Sequence, residues 1–564
     1  MEDFLNNQIF DVLDIEKKSV IFVKPTDKQF GDYVTNIALQ MAKTLHISPH
    51  DYYLSIKEKL ESIEFVESVD FLNGFINIKI DTNALAENIL NNNFEFDNVL
   101  NNDKLAIVEY PSPNMAKPFS VGHLRSANQG WAARNVLRKV GWKVITDNHI
   151  GDYGTPFGIW AEGYELLSNE EKLKEGGVYE LGRIYIEMRK RMKEESMEGK
   201  NDLASGIQDW LTRLSNDDKK AVGYHDMFYA ISLEHMHNIM DRLNITTDYE
   251  YGESFYVDLG QKLVDEYIER GIAKLNEDGS VVASLEKYNI KTPILLRKSN
   301  GLPLYATTDV ATMVFRKNEF KPDLVVYAVG NEQKFHFEQL FAFANEIDVP
   351  YQKVHLSYGM VEDIDIESGK RQKISSRKGT ILLEELLDKA EEKVSEMTNN
   401  KEIGRNNIAK IALGAIKFRD FSQDRNSNYL FEWDKMFALT GFSGPSIQYA
   451  AVRIKKIIRD SDIEFDENLF VNGYDYSSEK DLLIKIGSYK HLIDKISQDF
   501  KFHNLAIFLY DISKLVNVYY EQVPILKGDV NEKNKRARVG FLKKVFDVLA
   551  DGLGVLGIEI PDCM

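Results

Sequence analysis

Along the chain the spacing of apolar residues changes character twice. Between positions 1 and 99 a helical stretch comes first. Residues 32–43 then carry apolar side chains at helical spacing, and Phe75-Ile-Asn-Ile-Lys-Ile80 alternates as a strand does. This predicts an α+β module over residues 1–98, with the Asn- and acid-rich residues 91–103 as a linker. Next come an apolar strand, Leu105-Ala-Ile-Val-Glu-Tyr110, a Pro/Ser/Asn turn, a helical pattern over 123–140 stopped by Gly141, and a second strand, Lys143-Val-Ile-Thr146. Strand, helix and strand at this spacing form a βαβ unit. Further apolar strands at 324–329 and 354–358 extend a parallel sheet, so 99–431 reads as a doubly wound α/β domain with a mostly helical insertion at about 158–293. Beyond Phe431 the strand signals fade. Amphipathic stretches at 446–459, 480–496 and 505–521 predict an all-α helical bundle over 432–564.

Composition narrows the class. A chain of 564 residues calls for about three to four domains. Hydrophobic residues at 43% and charged residues at 28% exclude a disordered or collagen-like chain. No apolar run approaches the roughly 20 residues of a membrane helix, and the start is acidic, so a cytoplasmic protein with no membrane partner is expected. The single cysteine, Cys563, excludes an intramolecular disulfide and a CxxC zinc site. No heptad pattern argues for self-association, so a monomer is expected. A net charge of −18 argues against indiscriminate binding to nucleic acid. Two local basic runs, Arg453-Ile-Lys-Lys-Ile-Ile-Arg459 and Lys533-Asn-Lys-Arg-Ala-Arg538, are either an RNA-facing surface or solvated helix faces.

Two segments carry candidate chemistry. Val108-Glu-Tyr-Pro-Ser-Pro-Asn-Met-Ala-Lys-Pro-Phe-Ser-Val-Gly-His-Leu-Arg-Ser126 joins the carboxyl end of a strand to a helix N-terminus, where open α/β sheets bind ligands and backbone amides favour anions. Gly122 leaves room for a base or phosphate against the backbone, His123 can donate to phosphate, and Lys117 adds a mobile cation. Taken alone, the Gly-His pair reads first as a packing glycine and a capping histidine. The second segment, Gln372-Lys-Ile-Ser-Ser-Arg-Lys-Gly379, sets three cations in a serine- and glycine-containing loop suited to charge developing on a departing pyrophosphate. Alone, it reads first as a solvated basic turn.

In this order the segments resemble a class I aminoacyl-tRNA synthetase, and nearly the whole chain is similar to the arginyl-tRNA synthetase family. The first segment resembles the family's HIGH signature, and Lys373-Ile-Ser-Ser-Arg377 its KMSKS signature. Asn148-His-Ile-Gly-Asp-Tyr-Gly-Thr-Pro-Phe-Gly158 and Val329-Gly-Asn-Glu-Gln-Lys-Phe-His336 resemble two further blocks. Ile447-Gln-Tyr-Ala-Ala-Val-Arg453 and the C-terminal Leu556-Gly-Ile-Glu-Ile-Pro-Asp-Cys-Met564 look like parts of its anticodon-binding domain, and Gly31-Asp-Tyr33 and Gly74-Phe-Ile-Asn77 like the domain that meets the tRNA elbow. Two positions depart: Ser120 stands for the first histidine of HIGH, and Ser376 for the second lysine of KMSKS. Lys117 or Lys378 would supply the missing charge, and the resemblance favours Lys117.

The resemblance implies a Rossmann-like catalytic domain that joins L-arginine to tRNA-Arg. ATP activates arginine to arginyl-adenylate with release of pyrophosphate. The 2′-hydroxyl of the terminal adenosine then attacks, and tRNA must be bound before activation. Ser120, Gly122, His123, Gly330 and Lys373 would hold ATP, with Lys117, Lys373 and Arg377 around its phosphates and Mg2+ accompanying them. Glu109 and Asn114 would hold the ammonium and carboxylate end of arginine, and Tyr305, Asp309 and Gln333 the guanidinium. A guanidinium has five donors and no acceptor, so carboxylates and neutral acceptors are what such a site needs. Tyr305 and Asp309, four apart, share one face if their segment is helical. A site that leaves buried polar groups unpaired by the wrong substrate needs no editing domain, and none is expected. Tyr449, Arg453, Tyr519 and Tyr520 are the candidates for contact with anticodon bases. A cysteine-specific synthetase would need zinc thiolates that this chain lacks, and a small nucleotidyltransferase would not need the flanking domains. A non-catalytic tRNA-binding relative stays open because of Ser120 and Ser376.

Overall fold

The computed structural model describes residues 13, 22–23, 25, 30–91, 103–116, 118–364, 371–373, 382–398, 403–465, 468–528 and 530–564. The expected initial helical stretch and almost all of the linker lie outside them. The chain divides into two compact units, one of residues 1–97, 394–422 and 434–564, the other of 98–393 and 423–433.

In the first unit an antiparallel sheet is formed by β1 (Phe22–Val23), β2 (Tyr33–Thr35), β3 (Val66–Leu72) and β4 (Phe75–Ile80), in the order β1-β2-β4-β3. Helices α1 (Ile37–Leu45), α2 (Pro49–Glu61) and α3 (Thr82–Asn91) accompany it. The helix expected at 32–43 therefore begins later, because residues 33–35 pair with β4 and the Asp32 carboxylate accepts from the Ile80 amide at 2.8 Å. Sheet pairing outweighs a local helical preference here.

The second unit holds the parallel sheet. Strands β5 (Leu105–Glu109), β6 (Lys143–Asp147), β10 (Leu324–Tyr327) and β11 (Gln352–His355) run parallel in the order β11-β10-β5-β6. Strand β10 and most of β5 are buried, which explains their continuous apolar sequence. Helix α4 (Val121–Lys139) connects β5 to β6. The excursion that follows contains α5 (Thr155–Leu167), α6 (Glu170–Met197), α7 (Asp202–Ser215), α8 (Lys219–Arg242) and α9 (Glu253–Glu269). Much of it surrounds its own core of Phe157, Trp160, Leu181, Ile184, Trp210 and Phe228. It closes not on helix but on a three-stranded antiparallel sheet of β7 (Lys274–Leu275), β8 (Val281–Leu285) and β9 (Ile290–Arg297). Helix α10 (Tyr305–Glu319) leads back to β10, and α11 (Lys334–Glu346) joins β10 to β11. The strand expected at 354–358 is placed two residues earlier, in register with β10. A third small sheet contains β12 (Val361–Ile364), β13 (Arg371–Lys373) and β14 (Tyr429–Leu430), and α12 (Leu383–Met397) follows β13.

Six further helices belong to the first unit. They are α13 (Arg405–Phe421), α14 (Gly444–Asp460), α15 (Lys480–Gly487), α16 (Tyr489–Asp499), α17 (Phe502–Gln522) and α18 (Glu532–Val555). The single helix expected at 480–496 is two, because at Ser488 both the amide and the hydroxyl turn back to the Lys485 carbonyl. Within this unit the N-terminal module packs on the bundle: Lys480 pairs with Asp32 at 2.6 Å, and the Tyr476 amide donates to Asn83.

Candidate active site

The site grows from the carboxyl ends of β5 and β6. The segment leaving β6, residues 148–152, lies between two others. On one side Gly151 bridges Asn114, with the Met115 amide donating to the Gly151 carbonyl and the Gly151 amide to that of Pro113, each at 3.0 Å. On the other side Ile150 bridges Gly252, and the Glu253 amide donates to the Ile150 carbonyl at 2.9 Å. The approach is close enough to require glycine at 252, since a Cβ there would lie 2.1 Å from Asp152 Oδ2. Asp152 in turn accepts from the Ser254 amide and hydroxyl at 2.8 and 2.6 Å, fixing the first turn of α9. Asn114 and Glu253 are thus placed by the same strip of backbone.

Helix α10 presents a polar stripe on an otherwise buried surface, with Tyr305, Asp309, Thr312 and Arg316 at successive helical spacings. Tyr305 is 56% exposed at its start. Asp309 Oδ2 lies 2.6 Å from His336 Nε2, at the start of α11, and Oδ1 lies 3.8 Å from His149 Nε2. Burial opposes protonation of His336, but the Asp309 carboxylate outweighs it and raises its pKa. Arg316 is fully buried and donates from Nη2 to Glu109 Oε2 and Asp147 Oδ2, both at 2.6 Å, tying α10 to the ends of β5 and β6. Burial alone would lower the pKa of Arg316, but these two carboxylates hold it well above the ordinary value. Glu109, expected at the substrate's ammonium, is 5% exposed and already engaged by this arginine, and burial raises its pKa against the pull of Arg316.

Glu253 was not anticipated from sequence, where it is indistinguishable from an ordinary first-turn helix acid. It is 8% exposed, and no hydrogen bond or ion pair is made by its side chain among the described residues. Burial first, and then the charges of Asp309 and Asp152, push its pKa well above the carboxylate range. Burial, Glu253, Tyr185 and Asp309 likewise raise Tyr305. Glu253, Asp309 and Tyr305 therefore share one negative neighbourhood with an uncompensated buried carboxylate. Arg316 also went unnoticed, although its place seven residues after Asp309 on one face was a readable signal.

At the start of α4 the Ser120 amide donates to His123 Nδ1 at 3.0 Å, and the Ser120 hydroxyl is 3.3 Å from the same atom. An amide can only donate, so Nδ1 is the acceptor and the proton of the neutral ring sits on Nε2. Ser120, at the position of the first histidine of the signature, therefore orients His123. Gly122 contrasts with Gly252: among the described residues its Cβ would meet only Ser120 Oγ at 3.4 Å, so none of them demands a glycine there. Leu382 bridges Ser120, and the Leu383 amide donates to the Phe119 carbonyl, so the chain returns beside the start of α4 after the second candidate loop. The backbone of Lys373 pairs with Glu362 in β12. The side chain of Lys373 lies outside the described structure, as do Lys117, Ser376, Arg377 and Lys378. Gly330 bridges Tyr358 just beyond β10, and Gln333 is exposed at the start of α11.

In the helical bundle Arg453 lies over the rings of Tyr520 and Tyr449 at 4.5 and 5.7 Å, and Tyr449 is 38% exposed. Tyr519 corrects the expectation of a base-facing ring. It is 3% exposed and its hydroxyl donates to the buried Glu479 at 2.7 Å, so it belongs to the core. The second basic run is partly internal: Arg536 donates to the Glu464 carbonyl and Arg538 to that of Pro524. Among the described residues no cluster of His, Cys, Asp or Glu forms a metal cage, and no helix is long and apolar enough to cross a membrane.

A parallel sheet with a histidine-bearing helix start at its carboxyl edge is the arrangement of a class I aminoacyl-tRNA synthetase, and residues 85–433 match the model described as tRNA synthetases class I (R), catalytic domain. Residues 2–80 match the arginyl tRNA synthetase N terminal domain and residues 447–564 the DALR anticodon binding domain. The chain belongs to the arginyl-tRNA synthetase family. It is 31% identical to an arginine–tRNA ligase of Fusobacterium nucleatum, covering 97% of this chain and 96% of that one. It is 30% identical to that of Halothermothrix orenii, covering 100% and 98%. In structure it resembles the arginyl-tRNA synthetases of Thermus thermophilus (TM-score 0.78, 20% identity, 100% of both chains) and Plasmodium falciparum (TM-score 0.73, 23% identity, 100% and 98%), which share its fold.

Proposed function

We propose that this chain is an arginine–tRNA ligase, acting as a cytoplasmic monomer, which activates L-arginine with ATP and transfers it to the terminal adenosine of tRNA-Arg. The observation that carries the reading is the unpartnered buried carboxylate of Glu253 beside Asp309 and Tyr305, on the strip of backbone that also holds Asn114. A lone buried carboxylate is costly until a cation meets it, and a planar guanidinium with five donors is the cation that such acceptors favour. Glu253, Asp309 and Tyr305 receive the guanidinium, with Gln333 at its edge, and Asn114 with Glu109 takes the other end of the amino acid. Arg316 leaves Glu109 less negative toward substrate than a free carboxylate, so Asn114 carries more of that contact.

ATP enters as its magnesium complex. Gly122 leaves the backbone open to it, His123 donates from Nε2 to phosphate, Ser120 holds that ring, Gly330 lies at the ribose, and Lys117, Lys373 and Arg377 meet the phosphates. An arginine carboxylate oxygen attacks the α-phosphorus as the bond to pyrophosphate breaks. The 2′-hydroxyl of tRNA then attacks the adenylate carbonyl and AMP leaves. Positioning and charge complementarity do this work without a covalent enzyme intermediate. Residues 1–98 meet the tRNA elbow. The Tyr449–Arg453–Tyr520 surface reads splayed anticodon bases by stacking. No proofreading step is needed, because a neutral or shorter substrate leaves Glu253 unpaired.

The test is arginine-dependent pyrophosphate exchange into ATP, with and without homologous tRNA, alongside charging of that tRNA by each amino acid. Arginine-specific charging with tRNA-dependent exchange is expected. Tight tRNA binding with neither exchange nor charging would instead favour a binding protein without chemistry, the reading that Ser120 and Ser376 keep open.

A further inference from the structure

Both oxygens of Asp309 face imidazoles from other segments, and the two contacts differ in kind. His336 Nε2, in the first turn of α11, lies 2.6 Å from Oδ2, a charge-assisted hydrogen bond. An ionised carboxylate only accepts, so the imidazole donates. His149 Nε2, on the loop after β6, stands 3.8 Å from Oδ1, beyond hydrogen-bond reach, and both ring nitrogens of His149 are buried without a hydrogen-bond partner among the described residues. One oxygen of Asp309 is therefore hydrogen-bonded, and the other has no hydrogen-bond partner among the described residues.

The tie matters because of what lies opposite. Glu253 is buried, has no hydrogen-bond or ion-pair partner among the described residues, and feels the Asp309 charge. Two carboxylates in one small site repel, and a carboxylate without a fixed donor relieves repulsion by rotating or by taking a proton. Either response spoils a site for guanidinium, whose flat array of N–H groups is matched only when acceptor planes are set in advance. An ammonium, a point charge, would not care about the plane.

We propose that His336 is a positioning residue for amino-acid selection: by donating from Nε2 to Asp309 Oδ2, it sets the carboxylate plane so that Oδ1 meets the guanidinium together with Glu253. The proposal rests on the reading of this pocket as the arginine site. His336 touches no substrate and acts through Asp309. The Gly330-Asn-Glu-Gln-Lys-Phe-His336 segment thereby serves both ends of the reaction, with Gly330 toward ATP and its last residue toward the amino acid.

The test uses the full-length protein with tRNA present, comparing wild type, His336→Ala and His336→Gln in pyrophosphate exchange. Loss of a hydrogen bond to a charged group corresponds to about tenfold in affinity. His336→Ala is expected to raise the arginine KM about tenfold while kcat, the ATP KM and tRNA affinity change by less than about twofold. His336→Gln, which keeps an N–H donor, is expected to recover most of the loss. A fall in kcat with the arginine KM unchanged, or equal defects in both variants, would mean that His336 only supports the fold and overturns the proposal. Arginine charging by wild type together with an unaltered arginine KM in His336→Ala overturns this proposal alone. Absence of arginine charging by wild type removes the pocket's assignment and this proposal with it.

Discussion

In the proposed arginine site Asp309 is held by a histidine, and Glu253 has no hydrogen-bond or ion-pair partner among the described residues. Asp309→Ala should reduce arginine charging at least a hundredfold while tRNA affinity, measured by filter binding, moves less than about twofold, because the lost contact is a charge-assisted pair to the amino acid and not to RNA. Glu253 offers a pH test. Burial and the charges of Asp309 and Asp152 raise its pKa, Tyr305 lies near, and His149 and His336 face Asp309 across the same pocket. A raised carboxylate pKa means that Glu253 takes a proton as pH falls while an ordinary carboxylate is still ionised, and a neutral Glu253 cannot pair with guanidinium. The arginine KM should therefore climb on the acid side at a pH above the usual carboxylate value of 4.5, and Glu253→Gln should raise KM at neutral pH and flatten that limb. An acid limb identical in the variant would remove Glu253 from arginine binding.

At the scale of elements, the site depends on how α10, α9 and the strip leaving β6 are locked together. Arg316 joins α10 to β5 and β6 through two buried carboxylates. Removing it strands Glu109 and Asp147, so Arg316→Met should cost about 3–5 kcal/mol of stability, visible as a lower denaturation midpoint. The contact between Gly252 and Asp152 tests the other seam. A Cβ 2.1 Å from a carboxylate oxygen cannot be accommodated without moving the start of α9. Gly252→Ala should lower stability by about 1–3 kcal/mol and, because Glu253 is the next residue, raise the arginine KM as well. Lower stability with an unchanged arginine KM would separate the seam from the site.

For the whole molecule, the first unit contains a buried charge whose cost depends on pH. Lys417 is enclosed on α13, donates to the Gly557 carbonyl at 2.9 Å, and burial lowers its pKa to about 7, opposed by Glu559. The depressed value makes the folded state hold fewer protons than the unfolded state between about pH 7 and the ordinary lysine value of 10.5. Stability should therefore rise with pH across that window, and Lys417→Met should remove this part of the slope in chemical denaturation series. In the same unit Tyr449 is exposed and Arg453 half-buried beside it, and replacing both with alanine should weaken tRNA binding without changing the arginine KM in exchange assays. In the wild type, affinity for tRNA should fall steeply with salt, as phosphate contacts dominate.

The ordered motifs, through the family resemblance, named Asn114, His123, Tyr305 and Asp309 as candidates. The alternation of apolar strands and helices and the turn residues were local properties too, and they determined the parallel sheet and the helical C-terminal segment. Periodicity could do this because burial of one helix face or both sheet faces writes itself directly into side-chain polarity. It could not settle residues 33–35, which become strand through pairing with β4, or the β7–β9 sheet that closes the excursion. Nor could it reveal Glu253, which resembles any acid in a first helical turn until folding strips it of water and sets it beside Asp309. Tyr519 shows the converse: in sequence it is a neighbour of Tyr520, yet one hydroxyl turns inward to Glu479 while the other ring stacks on Arg453. Which charges are paired, which are stranded and which histidine holds which carboxylate depend on distances between segments far apart in the chain, and only the tertiary structure decides them.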